Sequence, residues 1–168
     1  MKTIILSAVL VAMATVGAPL GAQAATHHAA AVKAPVTQAN DALTRMFVWW
    51  NAAYKDKNGF TKAAFEKYFT PDVVMRINGR DSAVGSQDLA DHFQQIQART
   101  EAVEIELPFL ETFQSPDHKR IFTYHVVTAR EKGEASRELV MGYADIRDGR
   151  IALINFVSAP PAPPKAAK

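Results

Sequence analysis

The spacing of hydrophobic residues changes along the chain, from a period of three to four to a period of two. Over residues 43–54 the apolar side chains recur at every third or fourth position, which predicts an amphipathic helix capped by Asn40. A shorter helix is predicted after Thr61, with an apolar stripe that reaches Phe69. Residues 73–77 then predict a short strand, and a third helix is predicted from Gly85-Ser86 onward.

The second half of this region has the alternation of a sheet. Apolar and charged residues alternate over 103–107, and strand-rich segments follow at 121–130, 137–147 and 151–157. Asp148-Gly149 is a turn signal of tight hairpins, so the last three strands are predicted to form an antiparallel meander. Helices first and a meander afterwards indicate an α+β fold in which helices cover an antiparallel sheet.

The amino-terminal segment has the layout of a secretory signal peptide. One positive charge, Lys2, precedes an uncharged apolar run that ends near the small-residue stretch Ala22-Gln23-Ala24. We interpret residues 1–24 as a signal peptide, and we expect a periplasmic or secreted protein. Later hydrophobic stretches are all broken by charged or turn residues, so no membrane attachment is expected after signal removal.

Composition defines the remaining boundaries and excludes several function classes. An Ala/His/Pro-rich linker at 25–39 and a proline-rich tail at 160–168 are predicted to be disordered, which leaves one domain at 40–159. The chain has no cysteine, so disulfides, thiol catalysis and cysteine-bound zinc are excluded. Its net charge is +2 without a basic cluster, so no nucleic-acid partner is expected.

Two segments carry a resemblance to a known superfamily. The first is 69–93, with Pro71-Asp72, Ile77-Asn78-Gly79 and Gly85, and the second is the closing run GYADIRDGRI at 142–151. In their joint order they resemble the nuclear transport factor 2-like (NTF2-like) superfamily, which includes SnoaL-like polyketide cyclases and ketosteroid isomerases. The resemblance implies a cone-shaped half-barrel, a curved sheet covered by three helices, an apolar pocket at one end, and a homodimer formed through the sheet.

The same resemblance indicates which acidic catalytic residues of the superfamily have a counterpart in this chain. The two acidic positions of the steroid isomerases fall on Ile77 and Gly142 here, so steroid-isomerase chemistry is not supported. In the SnoaL-like cyclases an acidic pocket residue serves as acid and base, and the nearest late-strand carboxylate in this chain is Asp145. Its face of the strand is open at this stage, because a shift of one residue would turn it to solvent.

Two histidines are further candidates for proton transfer. His92 lies on the apolar stripe of the third predicted helix, where it is either a pocket acid/base or a core histidine bonded to a backbone carbonyl. His125 lies in mid-strand, either on the outer face or facing inward, where Thr123 and Met141 or Tyr143 would share the pocket. Together with Asp145, the two imidazoles would resemble the acid/base groups of the superfamily's dehydratases.

The supply of large apolar side chains suggests the walls of a pocket. Most aromatic residues at helical spacing pack in a core, but a subset can line a cavity, and we expect Trp50 and Tyr54 to form one wall. The predicted ligand-binding set is Trp50, Tyr54, Phe65, Tyr68, Met75, Phe93, Met141, Tyr143 and Phe156. No cofactor is expected. No nucleophile motif, phosphate loop or carboxylate pair at diagnostic spacing decides between a binding domain and an enzyme.

A separate metal hypothesis concerns the end that signal cleavage would create. Cleavage after Ala24 gives a chain that begins Ala25-Thr26-His27. A free amine, two amide nitrogens and the imidazole of His27 can then bind Cu(II) or Ni(II) in square-planar geometry. The alternative is that His27 is an incidental residue of the linker.

Three functions are consistent with these observations. The first is an exported domain that binds a small, mainly hydrophobic molecule; the second is a cofactor-free lyase, isomerase or cyclase that uses histidine or aspartate; the third is a dimeric interaction module. Two converging titratable groups in a pocket would favour the enzyme, and a wholly apolar pocket would favour the binding domain. A filled interior with an exposed apolar sheet face would favour the interaction module.

Overall fold

A computed structural model describes residues 40–159 of the chain. The predicted signal peptide, linker and tail, and the metal hypothesis at His27, lie outside the described residues. The helices are α1 (Ala42–Ala53), α2 (Lys62–Phe65) and α3 (Ser86–Arg99). The strands are β1 (Phe69–Ile77), β2 (Arg80–Val84), β3 (Ala102–Ile105), β4 (Glu111–Gln114), β5 (Arg120–Glu131), β6 (Glu134–Arg147) and β7 (Arg150–Ala159).

Helix α1 begins one residue later than the sequence suggested. Asp41, rather than Asn40, is the N-cap, and its Oδ1 accepts hydrogen bonds from the backbone N–H groups of Leu43 and Thr44 at 2.9 and 2.8 Å. One carboxylate therefore satisfies two of the free donors at the helix end. The apolar stripe is as predicted, and its buried members include Leu43, Met46, Phe47, Trp50 and Ala53.

Helix α2 is shorter than expected, and the prediction that its stripe reaches Phe69 is wrong. The helix spans only Lys62–Phe65, and Phe69 is the first residue of β1. The reason is pairing across the sheet: Phe69 lies opposite Ile151, and the N–H of Ile151 donates to the carbonyl of Tyr68 at 2.8 Å. A partner distant in sequence thus overrides the local helical spacing.

The described strands form one curved, open sheet in the order β2-β1-β7-β6-β5-β3, with β4 also paired to β5. The α+β architecture with three helices over a curved sheet is confirmed, as is the antiparallel meander of β5, β6 and β7. One pair differs from the expected antiparallel arrangement, since β1 and β7 run parallel. Strand β2 was not predicted; Asn78 and Gly79, with φ of 52° and 77°, form a hairpin turn that pairs it with β1.

An aromatic cluster joins the three helices. Trp50 of α1 lies 5.5 Å from Phe93 of α3 and 5.4 Å from Phe60 between ring centroids, and Phe65 of α2 stacks on Phe93 at 5.6 Å. These contacts hold α1 and α3 together over the inner face of the sheet. Within 40–159, no helix has the length and apolar character needed to cross a membrane.

Candidate functional site

A cavity of about 330 Å³ lies between α1, α3 and the inner face of the sheet. Its walls come mostly from apolar side chains, and exposed polar residues lie at one end. The lining residues are Met46, Phe47, Trp50, Phe69, Met75, Ile77, Ser82, His92, Phe93, Ile96, Val103, Ile105, His125, Val127, Glu138, Val140, Ile154, Phe156 and Ser158.

The sheet register determines which residues of β5 to β7 reach this cavity. His125 lies opposite Val140, and Val140 lies opposite Ser158, so these three side chains share the inner face. His125 is only 1% exposed. The open question of its direction is therefore answered: it points toward the cavity, not outward.

The imidazole of His125 lies among aromatic rings. The rings of Phe47, Phe109 and Phe156 surround it at centroid distances of 5.4, 5.5 and 5.4 Å. Its Nδ1 lies 3.2 Å from the hydroxyl oxygen of Thr123, which is also buried. Burial lowers the pKa of His125 to about 4, because the charged imidazolium would lose its hydration. At neutral pH the ring is uncharged.

His92 reaches the same cavity from the helical side. It lies on α3, is half-buried, and packs against the ring of Phe93 at 5.2 Å in an edge-to-face contact. Burial lowers the pKa of His92, and the positive charge of Arg99 acts in the same direction. The structure thus brings His92 and His125 to one common cavity, and both imidazoles are neutral bases at neutral pH.

Asp145 does not reach this site. It pairs with Arg120 across β5 and β6, and the guanidinium donates to its two carboxylate oxygens at 2.6 and 2.9 Å. The same guanidinium lies 4.1 Å above the ring of Tyr143. Because Ala144 is buried in the core, its neighbour Asp145 points to the opposite side of the strand. The hypothesis that Asp145 joins the two histidines has no geometric support.

Solved structures with this architecture are numerous, although no family model and no curated protein matches the sequence. An NTF2-like protein of unknown function from Exiguobacterium sp. 255-15 is 16% identical, with a TM-score of 0.57 over 71% of this chain and 98% of that one. A Jannaschia sp. CCS1 protein assigned to the SnoaL-like polyketide cyclases is 9% identical, with a TM-score of 0.56 over 70% of this chain and 82% of that one. A hypothetical protein with a ketosteroid isomerase-like fold from Catenulispora acidiphila, solved in complex with trimethylamine, is 14% identical, with a TM-score of 0.52 over 67% of this chain and 82% of that one.

The chain has the NTF2-like fold. At these identities the likeness establishes the architecture and leaves the chemistry to the residues of this chain. The superfamily resemblance inferred from residues 69–93 and 142–151 is therefore confirmed at the level of the fold.

Within this NTF2-like fold, four of the nine predicted ligand-binding residues line the cavity. They are Trp50, Met75, Phe93 and Phe156. Tyr54 is buried beside Trp50, but its hydroxyl bonds to the carbonyl of Thr100 at 3.0 Å instead of reaching the cavity. The predicted wall of Trp50 and Tyr54 is thus formed by Trp50 alone.

The other predicted wall residues have structural contacts elsewhere. Phe65 is fully buried between Phe60 and Phe69, and Tyr68 stacks on Trp49 at 4.8 Å. Met141 and Tyr143 lie opposite Tyr124 and Phe122 on the outer face of the sheet. The expectation that one of them shares a face with His125 is not met, because alternate residues of a strand point to opposite sides.

Three polar residues of the cavity were missed in the sequence. Ser82, Glu138 and Ser158 lie at its exposed end, where the hydroxyl of Ser158 donates to the carboxylate of Glu138. Glu138 precedes the inward-facing Val140 by two positions, so the strand alternation contained the signal that places it on the inner face. Within residues 40–159 no group of three potential metal ligands is found.

Proposed function

We propose that the cavity binds a small, mainly apolar and uncharged molecule. The observation that carries this proposal is the lining itself: apolar side chains surround the space, and the two imidazoles that reach it are neutral at pH 7. A volume of about 330 Å³ falls at the lower end of the range of about 300–1,000 Å³ that small-molecule sites occupy. Burial of a ligand's apolar surface there supplies the affinity.

A neutral fluorescent probe tests this proposal directly. N-phenyl-1-naphthylamine emits more strongly in apolar surroundings, and we expect a saturable rise in its emission on titration with the protein. Val140→Phe, which places a ring in the cavity, should weaken binding at least tenfold. The matched control is Val157→Phe, the same change on the adjacent strand at an outer-face side chain that is 54% exposed.

The two variants separate binding in the cavity from binding at the surface. If both proteins are folded by circular dichroism and only the cavity variant loses the probe, the proposal is supported. Equal probe binding in the two variants, or weakening by Val157→Phe alone, would place the probe outside the cavity and contradict the proposal. Absence of any saturable binding would contradict it as well.

A second candidate function is acid/base catalysis without a cofactor, and the shared cavity of His92 and His125 favours it. In such a reaction one neutral imidazole takes a proton from the carbon next to a ligand carbonyl, and the other donates a hydrogen bond to the oxygen that gains charge. Among the described residues no carboxylate is hydrogen-bonded to either ring, since Asp145 pairs with Arg120 and Glu138 accepts from Ser158. For that reason we rank ligand binding first.

Deuterium exchange distinguishes the two functions. With 2-acetylnaphthalene in D₂O, an enzyme of this kind would accelerate exchange of the methyl protons, which NMR spectroscopy follows. His92→Gln and His125→Gln would each reduce the acceleration at least tenfold. Binding of the ketone without accelerated exchange would exclude this chemistry for that ligand class and leave the binding function in place.

We also propose that two copies associate through the outer face of the sheet. Phe113, Met141 and Val157 expose 62, 55 and 54% of their surface there, and Phe122 stacks on Phe113 at 4.4 Å between ring centroids. An apolar patch of this kind on a soluble domain is typical of a protein contact. Because the cavity opens on the other face, association and ligand binding are compatible.

We further propose that the protein is exported and that residues 1–24 are removed. The charge at Lys2, the apolar run and the small residues before position 25 support this. Expression of the full gene followed by intact-mass measurement of the periplasmic fraction should give a chain that begins at Ala25. A full-length mass in the cytoplasm, with none in the periplasm, would contradict it.

A further inference from the structure

The hydrogen bond between Thr123 and His125 determines which ring nitrogen carries the proton. Thr123 is 5% exposed, and Nδ1 of His125 is the one hydrogen-bond partner of its hydroxyl in the part of the chain that the structure describes. If Nδ1 carried the proton, it would donate to the hydroxyl oxygen, and both the hydroxyl hydrogen and the lone pair of Nε2 would then lack a partner. A proton on Nε2 leaves one unpaired group, the Nε2–H itself. The second arrangement is more favourable, so the hydroxyl donates to a bare Nδ1.

The proton of the neutral ring therefore resides on Nε2. This nitrogen has no hydrogen-bond partner among the described residues, and the ring of which it is part lines the cavity. The aromatic rings that surround His125 offer no oxygen or nitrogen acceptor. Nε2 is not one of the buried, unpartnered atoms of the described residues, so it is accessible from the cavity, and its N–H can donate to a molecule bound there.

We propose that Nε2–H of His125 donates a hydrogen bond to a carbonyl-type acceptor of the ligand, so that the site selects neutral, mainly apolar molecules with one such acceptor. This inference rests on the proposed binding function and specifies its ligand class. Preference for the acceptor follows because a ligand without one would leave the donor buried and unpaired.

The charge distribution of the lining opposes anionic ligands. Of the residues that line the cavity, Glu138 carries a formal charge, which is negative. It lies at the exposed end next to Ser158. Both histidines are neutral at pH 7, and no lysine or arginine is part of the lining. A carboxylate ligand would therefore lose its hydration without a compensating cation and would pass a negative charge on entry.

Three ligands of nearly equal shape test the inference: 2-isopropylnaphthalene, 2-acetylnaphthalene and 2-naphthoate. Isothermal titration with the full mature protein should show the ketone binding about fivefold more tightly than the hydrocarbon, the ratio expected of one net hydrogen bond. The carboxylate should bind at least tenfold more weakly than the ketone. In His125→Leu the ratio of ketone to hydrocarbon should fall to about one.

Two further measurements keep the test independent of the His125→Leu variant. In Thr123→Val the hydroxyl that sets the tautomer is replaced by a methyl group of similar size, and the preference for the ketone should decrease. In the unaltered protein with bound ketone, ¹⁵N NMR spectra of the imidazole should show the proton of His125 on Nε2. A proton on Nδ1 would overturn the inference.

The outcomes separate this inference from the proposed function. If the hydrocarbon and ketone bind equally well in the cavity, binding stands and the role of Nε2–H is wrong. If the carboxylate binds as tightly as the ketone, the selection for neutral ligands is wrong. If neither the naphthalenes nor N-phenyl-1-naphthylamine binds, both proposals fail.

Discussion

The side-chain amide of Asn51 makes two hydrogen bonds to the backbone of Ile105. Its Nδ2 donates to the Ile105 carbonyl at 2.8 Å, and its Oδ1 accepts from the Ile105 N–H at 3.0 Å. Asn51 thus completes the hydrogen bonding of a residue in β3, the strand at the end of the sheet. Because Ile105 and the neighbouring Trp50 both line the cavity, this contact also fixes the distance between two cavity walls.

Replacement of Asn51 by leucine should lower the free energy of unfolding by about 2–4 kcal/mol, because two backbone groups lose their partner. Urea denaturation followed by tryptophan fluorescence measures the change. Gln87→Ala is the control, since within residues 40–159 that amide bonds only to the exposed Asp91, and its effect should stay within about 0.5 kcal/mol. A loss equally small for Asn51→Leu would show that the contact does not stabilise β3.

The burial of His125 should make the protein sensitive to mild acid. Its pKa is about 4 in the folded state against 6.5 for an ordinary histidine, so between these pH values the unfolded chain binds a proton that the folded chain excludes. The contribution of His125 to the free energy of unfolding is constant above pH 6.5. It decreases by about 3 kcal/mol in total as the pH falls toward 4. His125→Leu should remove this part of the pH dependence in urea denaturation series.

His92 supplies the comparison for that experiment. Its pKa is also lowered, but its ring is only half-buried, so His92→Leu should flatten the same curve by less. If the stability of the unaltered protein and of His125→Leu changed in parallel between pH 6.5 and 4, the ring of His125 would not be excluded from protonation in the folded state.

Gly142 leaves no room for a side chain. A Cβ atom there would lie 2.1 Å from the carbonyl oxygen of Asn155 and 2.9 Å from the Cα of Phe156, and both are backbone atoms of the paired strand. Gly142→Ala should therefore destabilise the protein by about 3 kcal/mol or more and displace Phe156 from the cavity wall. Thermal unfolding measures the first effect, and the N-phenyl-1-naphthylamine affinity measures the second.

The control for this substitution is Gly133→Ala. Both glycines have a positive φ, 153° at Gly142 and 79° at Gly133, but a Cβ atom at Gly133 would meet nothing within 4 Å. Gly133→Ala should lower the free energy of unfolding by about 1 kcal/mol, through backbone strain alone, and should leave the probe affinity unchanged. Equal losses for the two variants would mean that strain, and not the close approach of β7, determines the requirement at Gly142.

Substitutions on the outer face test the proposed association of two copies. Light scattering should give about twice the chain mass for the unaltered protein at micromolar concentration and about one chain mass for Met141→Lys, because a charge replaces an apolar contact. Val48→Lys on α1, at another exposed apolar residue, should leave the mass unchanged. A single-chain mass for the unaltered protein at 100 µM would contradict the association.

Local signals were sufficient for the elements whose partners are near in sequence. Asp148-Gly149, with φ of 52° and 73°, joins β6 to β7, and Arg147 lies opposite Arg150 as the hairpin signal requires. The apolar side of α3 faces the interior as predicted, and His92 and Phe93 on that side line the cavity. In both cases a few adjacent residues carry the whole signal.

Features that depend on distant partners could not be predicted in this way. The helical stripe predicted from the sequence included Phe69. This residue belongs to a strand because it pairs with Ile151, which lies at the far end of the domain. The sequence shows that side chains alternate along β5 and along β6. It does not show how the two strands are aligned, and only that register places His125 and Met141 on opposite faces of the sheet. Asp145 was a reasonable candidate by type, and its partner Arg120 became visible only in the fold.

The alternation of side chains along β5, β6 and β7 separates two sets of positions that can change independently. Residues such as His125 and Val140 line the cavity, while Met141 and Val157 lie on the outer face of the sheet. A point substitution in one set leaves the other intact. An insertion or deletion of a single residue within these strands would exchange the two sets, so divergence of this domain should proceed by replacement, with length changes confined to the turns.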